Sequence, residues 1–234
     1  MLFDATLDFY LQIVTTYIIP SIALCIMLAL AIKKLQQTRD NPYNIVISLF
    51  FFGLILGLLM NAVYGILVGT DEPLAFFFAR LSAMFFDFTN IFPLFFLIAL
   101  EKSFKSISRR FKILYFMSLS LLALPVLFVG NVFLSGTFVL CWDPVLAAYS
   151  LLYALSIFIA IMFYSFKLMK SFENTQIKRR FIFFIVGYWI IIIMLLAVVL
   201  VKLQLATPII SSVFMLLGIF AAPLLIYYGV TKKK

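Results

Sequence analysis

The sequence contains no histidine. Histidine is the usual general base of enzymes and the commonest metal ligand, and it is the residue that a histidine kinase phosphorylates. Walker, H-E-x-x-H and G-x-S-x-G motifs are also missing, and the apolar stretches hold no pair of carboxylates of the kind that an aspartyl protease uses. We therefore predict that the protein is not an enzyme, that it holds no metal ion and that it has no cofactor.

Charged residues are scarce too, since they make up 12% of the 234 residues while hydrophobic residues make up 66%. Soluble domains have about 25% charged residues, so a soluble domain is excluded. The apolar residues form seven runs of about the 20 residues that a helix needs to cross a bilayer, and they are too long for the strands of a membrane β-barrel. We predict an all-α integral membrane protein, a single domain of seven transmembrane helices at about residues 11–32, 45–68, 74–100, 111–133, 145–168, 181–201 and 208–228.

The basic residues are distributed unevenly between these runs. Of the 18 Lys and Arg residues, all but Arg80 and Lys202 lie in the first, third and fifth connections or at the C-terminus. Loops rich in Lys and Arg stay on the cytoplasmic side of a membrane, so we predict a multi-pass protein of the cell membrane with its N-terminus outside and its C-terminus in the cytoplasm.

The positions of these basic residues also indicate the kind of partner. They lie next to the ends of the predicted spans, where they contact anionic lipid headgroups. The connections are too short to form the continuous basic face that nucleic-acid binding needs. We therefore predict membrane lipid and a membrane or cytoplasmic protein as partners, and no nucleic acid.

Only two cysteines are present. Cys25 lies well inside the first predicted span, and Cys141 lies near the outer end of the fifth. Because their depths differ, we do not expect a disulfide between them. We expect Cys25 to be a small apolar residue of the core.

Small residues and prolines within the predicted spans indicate local helix geometry. Gly53 and Gly57 form a G-x-x-x-G pattern in the second span, a spacing that allows two helices to approach closely. We expect this pattern to serve packing within the chain rather than dimerisation. Four prolines lie inside or near the middle of spans, where each removes a backbone hydrogen bond and can bend its helix: Pro20, Pro93, Pro125 and Pro223.

The third predicted span contains a carboxylate near the middle of the bilayer, Asp87. Such a group costs about 2.5–3.5 kcal/mol on insertion scales and usually faces the interior of a helix bundle. Arg80 lies two turns closer to the outer surface on nearly the same face, and Asn90 lies one turn further in. These residues form a ligand or proton site, a charge pair that breaks on activation, or a structural polar cluster that ties the third helix to Asn61 and Tyr64 of the second.

A second set of polar side chains lies on one face of the outer half of the fifth span, with spacing i, i+4 and i+7: Tyr149, Tyr153 and Ser156. With Trp142 before them, and with Ser211 and Ser212 at a similar depth in the seventh span, they are candidates for an outward-facing ligand pocket. The alternative is an aromatic belt at the membrane interface, with serines that bond the backbone of their own helix.

Three segments carry a resemblance to a known family. They are Trp142 before a tyrosine-bearing span, the basic Ile177-Lys178-Arg179-Arg180-Phe181, and Leu216-Leu217-Gly218-Ile219-Phe220-Ala221-Ala222-Pro223-Leu224-Leu225-Ile226-Tyr227-Tyr228. Over residues 142–228 the chain resembles the seven-helix N-terminal sensor module of prokaryotic membrane histidine kinases and related signalling proteins. In that family a coiled coil and a catalytic domain normally follow. This chain has no kinase part, so the resemblance implies a sensor whose output passes through a separate protein.

We therefore expect a standalone seven-helix sensor or receptor-like protein that binds a small molecule or a lipid in its outer half. Two alternatives remain open. One is a small transporter, or an ion- or proton-conducting subunit, that uses Asp87. The other is a non-catalytic subunit of a larger membrane complex.

Overall fold

The computed structural model of the protein describes residues 19–37, 41–68, 70–134, 140–205 and 216–230. This part of the chain is almost entirely helical. Its elements, in chain order, are α1 (Ile19–Gln37), α2 (Pro42–Leu67), α3 (Glu72–Thr89), α4 (Ile91–Lys102), α5 (Arg109–Ala123) with a 3₁₀ turn (Leu124–Leu127), β1 (Val132–Leu134), β2 (Leu140–Trp142), α6 (Pro144–Ser171), α7 (Thr175–Lys202), and a π-helical turn (Leu217–Ala221) that leads into α8 (Ala222–Val230).

Among the described residues, five helical stretches are long and apolar enough to cross a membrane: Pro42–Leu67, Glu72–Lys102, Arg109–Leu127, Pro144–Ser171 and Thr175–Lys202. They correspond to the second to sixth predicted spans. The first and seventh predicted spans lie partly outside the described residues, and α1 and α8 are their described parts. The chain is therefore a helical membrane protein.

Local sequence signals explain where the long helices start. The side chains of Asn41, Asp71 and Asp143 each accept a hydrogen bond from a backbone N–H in the first turn of α2, α3 and α6, respectively. In each helix a proline also occupies the first or second position, where its missing N–H costs nothing. These side chains satisfy N–H groups that the first helical turn leaves without a partner.

The fourth predicted span is shorter than expected. Its helix changes to a 3₁₀ turn near Pro125 and ends at Leu127 rather than at Phe133, because proline has no N–H to continue the α-helical pattern. The segment between this helix and α6 contains a two-stranded antiparallel ribbon in which Phe133 pairs with Cys141. The ribbon brings Trp142 to the start of α6.

The third predicted span is interrupted at Asn90, between α3 and α4. Pro93 has no N–H to donate to the carbonyl of Thr89, so the α-helical hydrogen bonding fails at this point. The backbone N–H of Asn90 bonds the carbonyl of Asp87 at 3.2 Å, and its side-chain Nδ2 donates to the carbonyl of Phe86 at 3.0 Å. The interruption lies next to Asp87 in the sequence, and the bend expected at Pro93 stays a prediction.

Helices α2 and α3 pack closely at the two glycines of the G-x-x-x-G pattern. A Cβ atom on Gly53 would overlap the hydroxyl of Thr89, and one on Gly57 would lie 3.1 Å from the ring of Phe86. The prediction of packing within the chain is therefore confirmed for both glycines.

The first and last described helices are joined at one end. Lys34 is buried, and its Nζ donates to the carbonyl of Val230 at 3.2 Å and lies 5.6 Å from the ring centre of Tyr227. A cation at the last carbonyls of a helix is favourable because it complements the helix dipole. This lysine therefore does more than mark membrane orientation.

The two cysteines are not joined in a disulfide, as expected. Cys25 is exposed on α1, so its expected place in the core is wrong. Cys141 is buried in the ribbon, where it accepts a hydrogen bond from Nε2 of Gln204 at 3.0 Å. This contact ties the end of α7 to the ribbon.

Candidate functional site

A cavity of about 150 Å³ is lined mainly by α2, α3 and α7, with further residues from α1, α6, the ribbon and the π-helical turn. We call it the Asp87 cavity. Its wall is mostly apolar and includes Trp142 and Phe86, and six polar side chains interrupt it: Asn61, Ser82, Asp87, Asn90, Ser150 and Lys202. A mostly apolar concave site with a few converging polar groups is typical of small-molecule sites.

Asp87 is 1% exposed, and its position is set by α6. The hydroxyl of Ser150 donates to Oδ2 of Asp87 at 2.8 Å. Within the described ranges, no hydrogen bond or ion pair involves the other carboxyl oxygen, Oδ1. A buried polar group that lacks a partner raises the free energy of the folded state, so Oδ1 is available to a ligand.

Asn90 lines the cavity and also contacts α7. Oδ1 of Asn90 accepts a hydrogen bond of 2.6 Å from the hydroxyl of the buried Tyr188. With its Nδ2 on the carbonyl of Phe86, the amide has a partner for each of its two polar atoms. Sequence reasoning did not select Tyr188. The only sequence signal for Tyr188 as a site residue was its hydroxyl group within an otherwise apolar stretch.

The remaining polar groups of the cavity differ in how far the protein satisfies them. The hydroxyl of Ser82 donates to the carbonyl of Gly57 at 2.7 Å, which joins α3 to α2. In contrast, the side chains of Asn61 and Lys202 line the cavity and form no hydrogen bond or ion pair with any described residue. The groups available to a ligand are therefore Asp87 Oδ1, the amide of Asn61 and the ammonium of Lys202.

Lys202 was not among the predicted site residues. The sequence did contain a signal for it, because Lys202 and Arg80 are the two basic residues outside the alternating pattern. The pattern could not show that the side chain of Lys202 lies at the cavity wall.

Arg80 does not line the Asp87 cavity. Its guanidinium donates to the carbonyl of Leu127 at 2.9 Å and to that of Gly130 at 2.6 Å, and no ion pair with Asp87 is formed. Of the predicted polar track on α3, the structure brings Asp87 and Asn90 together and leaves Arg80 apart. The long arginine side chain reaches the 3₁₀ turn and the start of the ribbon, where two backbone carbonyls accept its hydrogen bonds.

Arg80 belongs to a cluster that holds the ribbon against α6. Asp143 accepts hydrogen bonds from the backbone N–H groups of Leu146 at 2.8 Å and Asn131 at 2.5 Å. The hydrogen bond from Leu146 is the main cause of the lowered pKa of the Asp143 carboxyl, with smaller contributions from other backbone N–H groups and from Arg80. This cluster fixes the segment that carries Trp142.

Two tyrosines predicted to line a pocket contact α5 instead. The hydroxyl of Tyr149 donates to the carbonyl of Leu122 at 2.6 Å, and that of Tyr153 donates to the carbonyl of Leu119 at 3.2 Å. Neither residue lines the Asp87 cavity. Their geometry places the phenol groups between α5 and α6.

Two further candidates also lie away from the cavity. Ser156 is exposed and donates to the carbonyl of Leu152 in its own helix at 2.7 Å. Tyr64 is buried in an apolar cluster that includes Trp142. Ser211 and Ser212 lie outside the described residues.

No protein-family model matches the chain, and no curated protein matches it. Within the described ranges, no group of three or more Cys, Asp or Glu side chains is placed to hold a metal ion.

Proposed function

We propose that this protein is a seven-helix membrane sensor or receptor-like protein. Its N-terminus lies outside, its C-terminus lies in the cytoplasm, and a small ligand binds in its outer half and acts through a separate protein partner. The observation that carries the proposal is the Asp87 cavity, in which unsatisfied polar groups of α2, α3 and α7 meet in a mostly apolar space.

The distribution of basic residues supports the outward orientation of the cavity. With the basic connections on the cytoplasmic side, the ribbon lies at the outer face. The ends of α3 and α7 near the ribbon are identified by two contacts, Arg80 with the carbonyl of Gly130 and Gln204 with Cys141. The cavity extends from Asn90 toward this end, as far as Lys202.

The size of the cavity supports a small ligand. An engineered apolar cavity of about 150 Å³ binds benzene, so a space of this volume suits a small molecule with a slender apolar body rather than a large ligand. The apolar wall supplies affinity, and the few polar groups select the ligand by its hydrogen-bonding pattern.

The contacts around Asp87 supply a route from ligand to partner. Ser150 joins Asp87 to α6, and Tyr188 joins Asn90, at the break between α3 and α4, to α7. A ligand that donates a hydrogen bond to Oδ1 of Asp87 alters the carboxylate to which Ser150 is bonded, and so changes the relative stability of two helix arrangements. The basic inner connections, including the one that begins after α6, then move against the partner.

Trp142 provides a direct test of ligand binding. The chain has two tryptophans, and the other one, Trp189, is exposed on α7. In a Trp189→Phe background in lipid nanodiscs, fluorescence therefore reports on the cavity wall alone. We expect small amphipathic molecules to change this signal saturably, and Ala83→Leu, which fills the cavity, to abolish the change.

The matched control is Ala148→Leu, which adds the same side-chain volume at an exposed position on α6. Equal responses in Ala83→Leu and Ala148→Leu would contradict a ligand site in the cavity. The signalling part is tested by purification from native membranes with and without a ligand found in this way. Repeated recovery of the chain alone would contradict the separate partner.

One observation favours a second candidate function, a small transporter that binds a cation or proton at Asp87. The helix break at Asn90 lies next to the carboxylate, and discontinuous helices near the middle of a membrane form ion sites in many transporters. In reconstituted vesicles, Asp87→Asn would then abolish proton- or ion-coupled flux. Absence of flux from the wild-type protein under several gradients would contradict this candidate.

A further inference from the structure

We propose that the ligand of the Asp87 cavity is an elongated zwitterion, with its ammonium group at Asp87, its anionic group at Lys202 and an apolar body between them. This inference rests on the proposed function, since it names the chemical class that the cavity takes. It starts from the two ionisable side chains of the cavity wall, one acidic and one basic.

The two side chains have no counter-ions within the described ranges. Asp87 accepts a single hydrogen bond, from the neutral Ser150, and Lys202 forms no ion pair or hydrogen bond there. Arg80, the nearest basic residue on α3, is taken up by the carbonyls of Leu127 and Gly130. Asp87 is 1% exposed and Lys202 is half-buried. A charge that is withdrawn from water favours a partner, so each end of the cavity favours the opposite charge on a ligand.

The separation of the two charges follows from the helix geometry. The contacts with Gly130 and Cys141 place the start of α3 and the end of α7 at the same end of the bundle, so the two helices run antiparallel. The hydrogen bond between Tyr188 and Asn90 sets their relative height.

The rise of 1.5 Å per residue then gives the distance along the bundle. Lys202 lies about 21 Å from Tyr188 along α7, and Asp87 lies about 4.5 Å from Asn90 along α3 in the same direction, so their backbones are about 16 Å apart in height. The flexible lysine side chain shortens this distance, which leaves roughly 10–16 Å between the two charges of the ligand.

The wall between the two ends is apolar. Ile191, Leu195, Val198 and Lys202 all line the cavity, and their spacing of three or four places them on one face of α7. Trp142 lies on the wall at the ribbon end. A ligand that reaches from Asp87 to Lys202 therefore passes a hydrocarbon surface, and an apolar body fits there better than a polar one.

This arrangement discriminates against two simpler ligand classes. An alkylamine or an alkyl carboxylate matches one charge and leaves the other without a partner, which costs binding free energy. A compact zwitterion such as an α-amino acid has both charges but is too short to reach both ends. Only a ligand with charges at opposite ends satisfies Asp87 and Lys202 together.

The test uses the full chain in nanodiscs of neutral lipid, with Trp189→Phe and the fluorescence of Trp142 as the signal. The probes are ω-amino carboxylates of about four to about sixteen carbons, with n-alkylamines and n-alkyl carboxylates of matched length. We expect the affinity of the ω-amino carboxylates to pass through a maximum at an intermediate length. At that length, each single-charge analogue should bind at least about tenfold more weakly.

Substitutions at the two ends should reproduce the effect of removing each ligand charge. Lys202→Met should lower the affinity for the best ω-amino carboxylate about tenfold or more and leave the affinity for alkylamines unchanged. Asp87→Asn should likewise lower the affinity for the best ω-amino carboxylate and leave the affinity for alkyl carboxylates unchanged. Lys202→Arg should retain most of the affinity, which shows that the loss in Lys202→Met reflects charge rather than misfolding, and Lys178→Met, at the exposed start of α7, is the surface control.

The outcomes separate this inference from the proposed function. If alkylamines bind as well as the ω-amino carboxylates, or if Lys202→Met has no effect because the lysine extends to the membrane surface, the zwitterion class is wrong while the ligand site remains. If no compound of any of the three classes changes the fluorescence of Trp142, the zwitterion class and the ligand site both fail.

Discussion

Replacement of Gly53 by alanine should destabilise the pair of helices that forms one wall of the Asp87 cavity. A Cβ atom at this position would overlap the hydroxyl of Thr89. Thr89 is fully buried, and its hydroxyl donates to the carbonyl of Phe85 at 2.6 Å. The side chain therefore has little space to move, and either α2 and α3 separate or Thr89 rotates and loses its hydrogen bond.

The size of the effect can be bounded from these two responses. Overpacking of a close-packed interface costs about 1–3 kcal/mol, whereas an intramolecular hydrogen bond such as that of Thr89 with Phe85 contributes about 0.5–1.5 kcal/mol. Rotation of Thr89 therefore costs less than separation of α2 and α3, provided that the new Cβ atom of residue 53 fits once the hydroxyl has moved. The lateral contact with Thr89 Cβ, at 3.3 Å, stays tight after rotation, so we expect a total loss of about 1–2 kcal/mol in the free energy of unfolding.

A double-mutant cycle identifies the cause. Thr89→Ala removes the overlapping hydroxyl, so the combined Gly53→Ala/Thr89→Ala variant should be more stable than the sum of the single effects predicts, by about 1 kcal/mol. Unfolding by SDS in mild-detergent micelles, followed by circular dichroism, measures each free energy. Leu56→Ala, at an exposed position on the same helix, serves as the control and should change the free energy by less than about 0.5 kcal/mol.

Two results would refute the reasoning. One is an unchanged unfolding free energy in Gly53→Ala, which would mean that α2 and α3 do not meet at this glycine. The other is strict additivity in the cycle, which would mean that Thr89 is not the residue that resists the added methyl group.

Three further predictions follow from contacts at the two ends of the bundle. Arg80→Met should lose two hydrogen bonds to backbone carbonyls and speed hydrogen exchange in residues 128–134. Unchanged exchange would contradict the role of Arg80 as a clamp. The pKa of the Asp143 carboxyl is lowered, mainly by the N–H of Leu146. Its contribution to stability is therefore complete above the ordinary pKa of 3.8 and is lost as the pH falls through the lowered pKa. Hydrogen exchange of the first amides of α6 should rise in acid in the wild type and should not respond to this acid range in Asp143→Asn. Lys34→Met should loosen the end of α8, because the carbonyl of Val230 loses its cationic partner. Proteolysis of the C-terminal segment should therefore be faster in the variant, and equal rates in wild type and variant would contradict this.

The helices were predictable because the length of an apolar run depends only on the thickness of the bilayer. The starts of α2, α3 and α6 have a local sequence signal. Asn or Asp followed closely by proline supplies a partner for a free N–H of the first helical turn wherever this pattern occurs. The β-ribbon was not predicted. Its strands have three residues each, which is too short for an alternating pattern to be recognised.

The rotation of each helix was harder to predict than its length. In a soluble protein the apolar stripe identifies the buried face, but here nearly every position is apolar and the stripe disappears. The predicted track from Arg80 to Asn90 assumed that residues on one helix face share one environment. Arginine breaks this assumption because its side chain reaches carbonyls beyond its own turn.

The candidate site was therefore predicted in part. Asp87 stood out by its cost in the membrane, and the structure places it with Asn61 and Asn90 at one cavity. Tyr149 and Tyr153 share a helix face, as predicted from their spacing, but the face lies against α5. That outcome depends on the order in which the helices pack, which local spacing does not determine.

The central claim is that the Asp87 cavity is a polar site open to the outer side of the membrane, and thiol accessibility tests it most directly because no ligand needs to be known. In a background without Cys25 and Cys141, Asn61→Cys is compared with Ser156→Cys in sealed right-side-out vesicles, using a small membrane-impermeant methanethiosulfonate reagent. The account predicts that Asn61→Cys reacts from the outside and that Ser156→Cys, on the exposed face of α6, does not. Reaction of Asn61→Cys only from the cytoplasmic side, or from neither side, would contradict it.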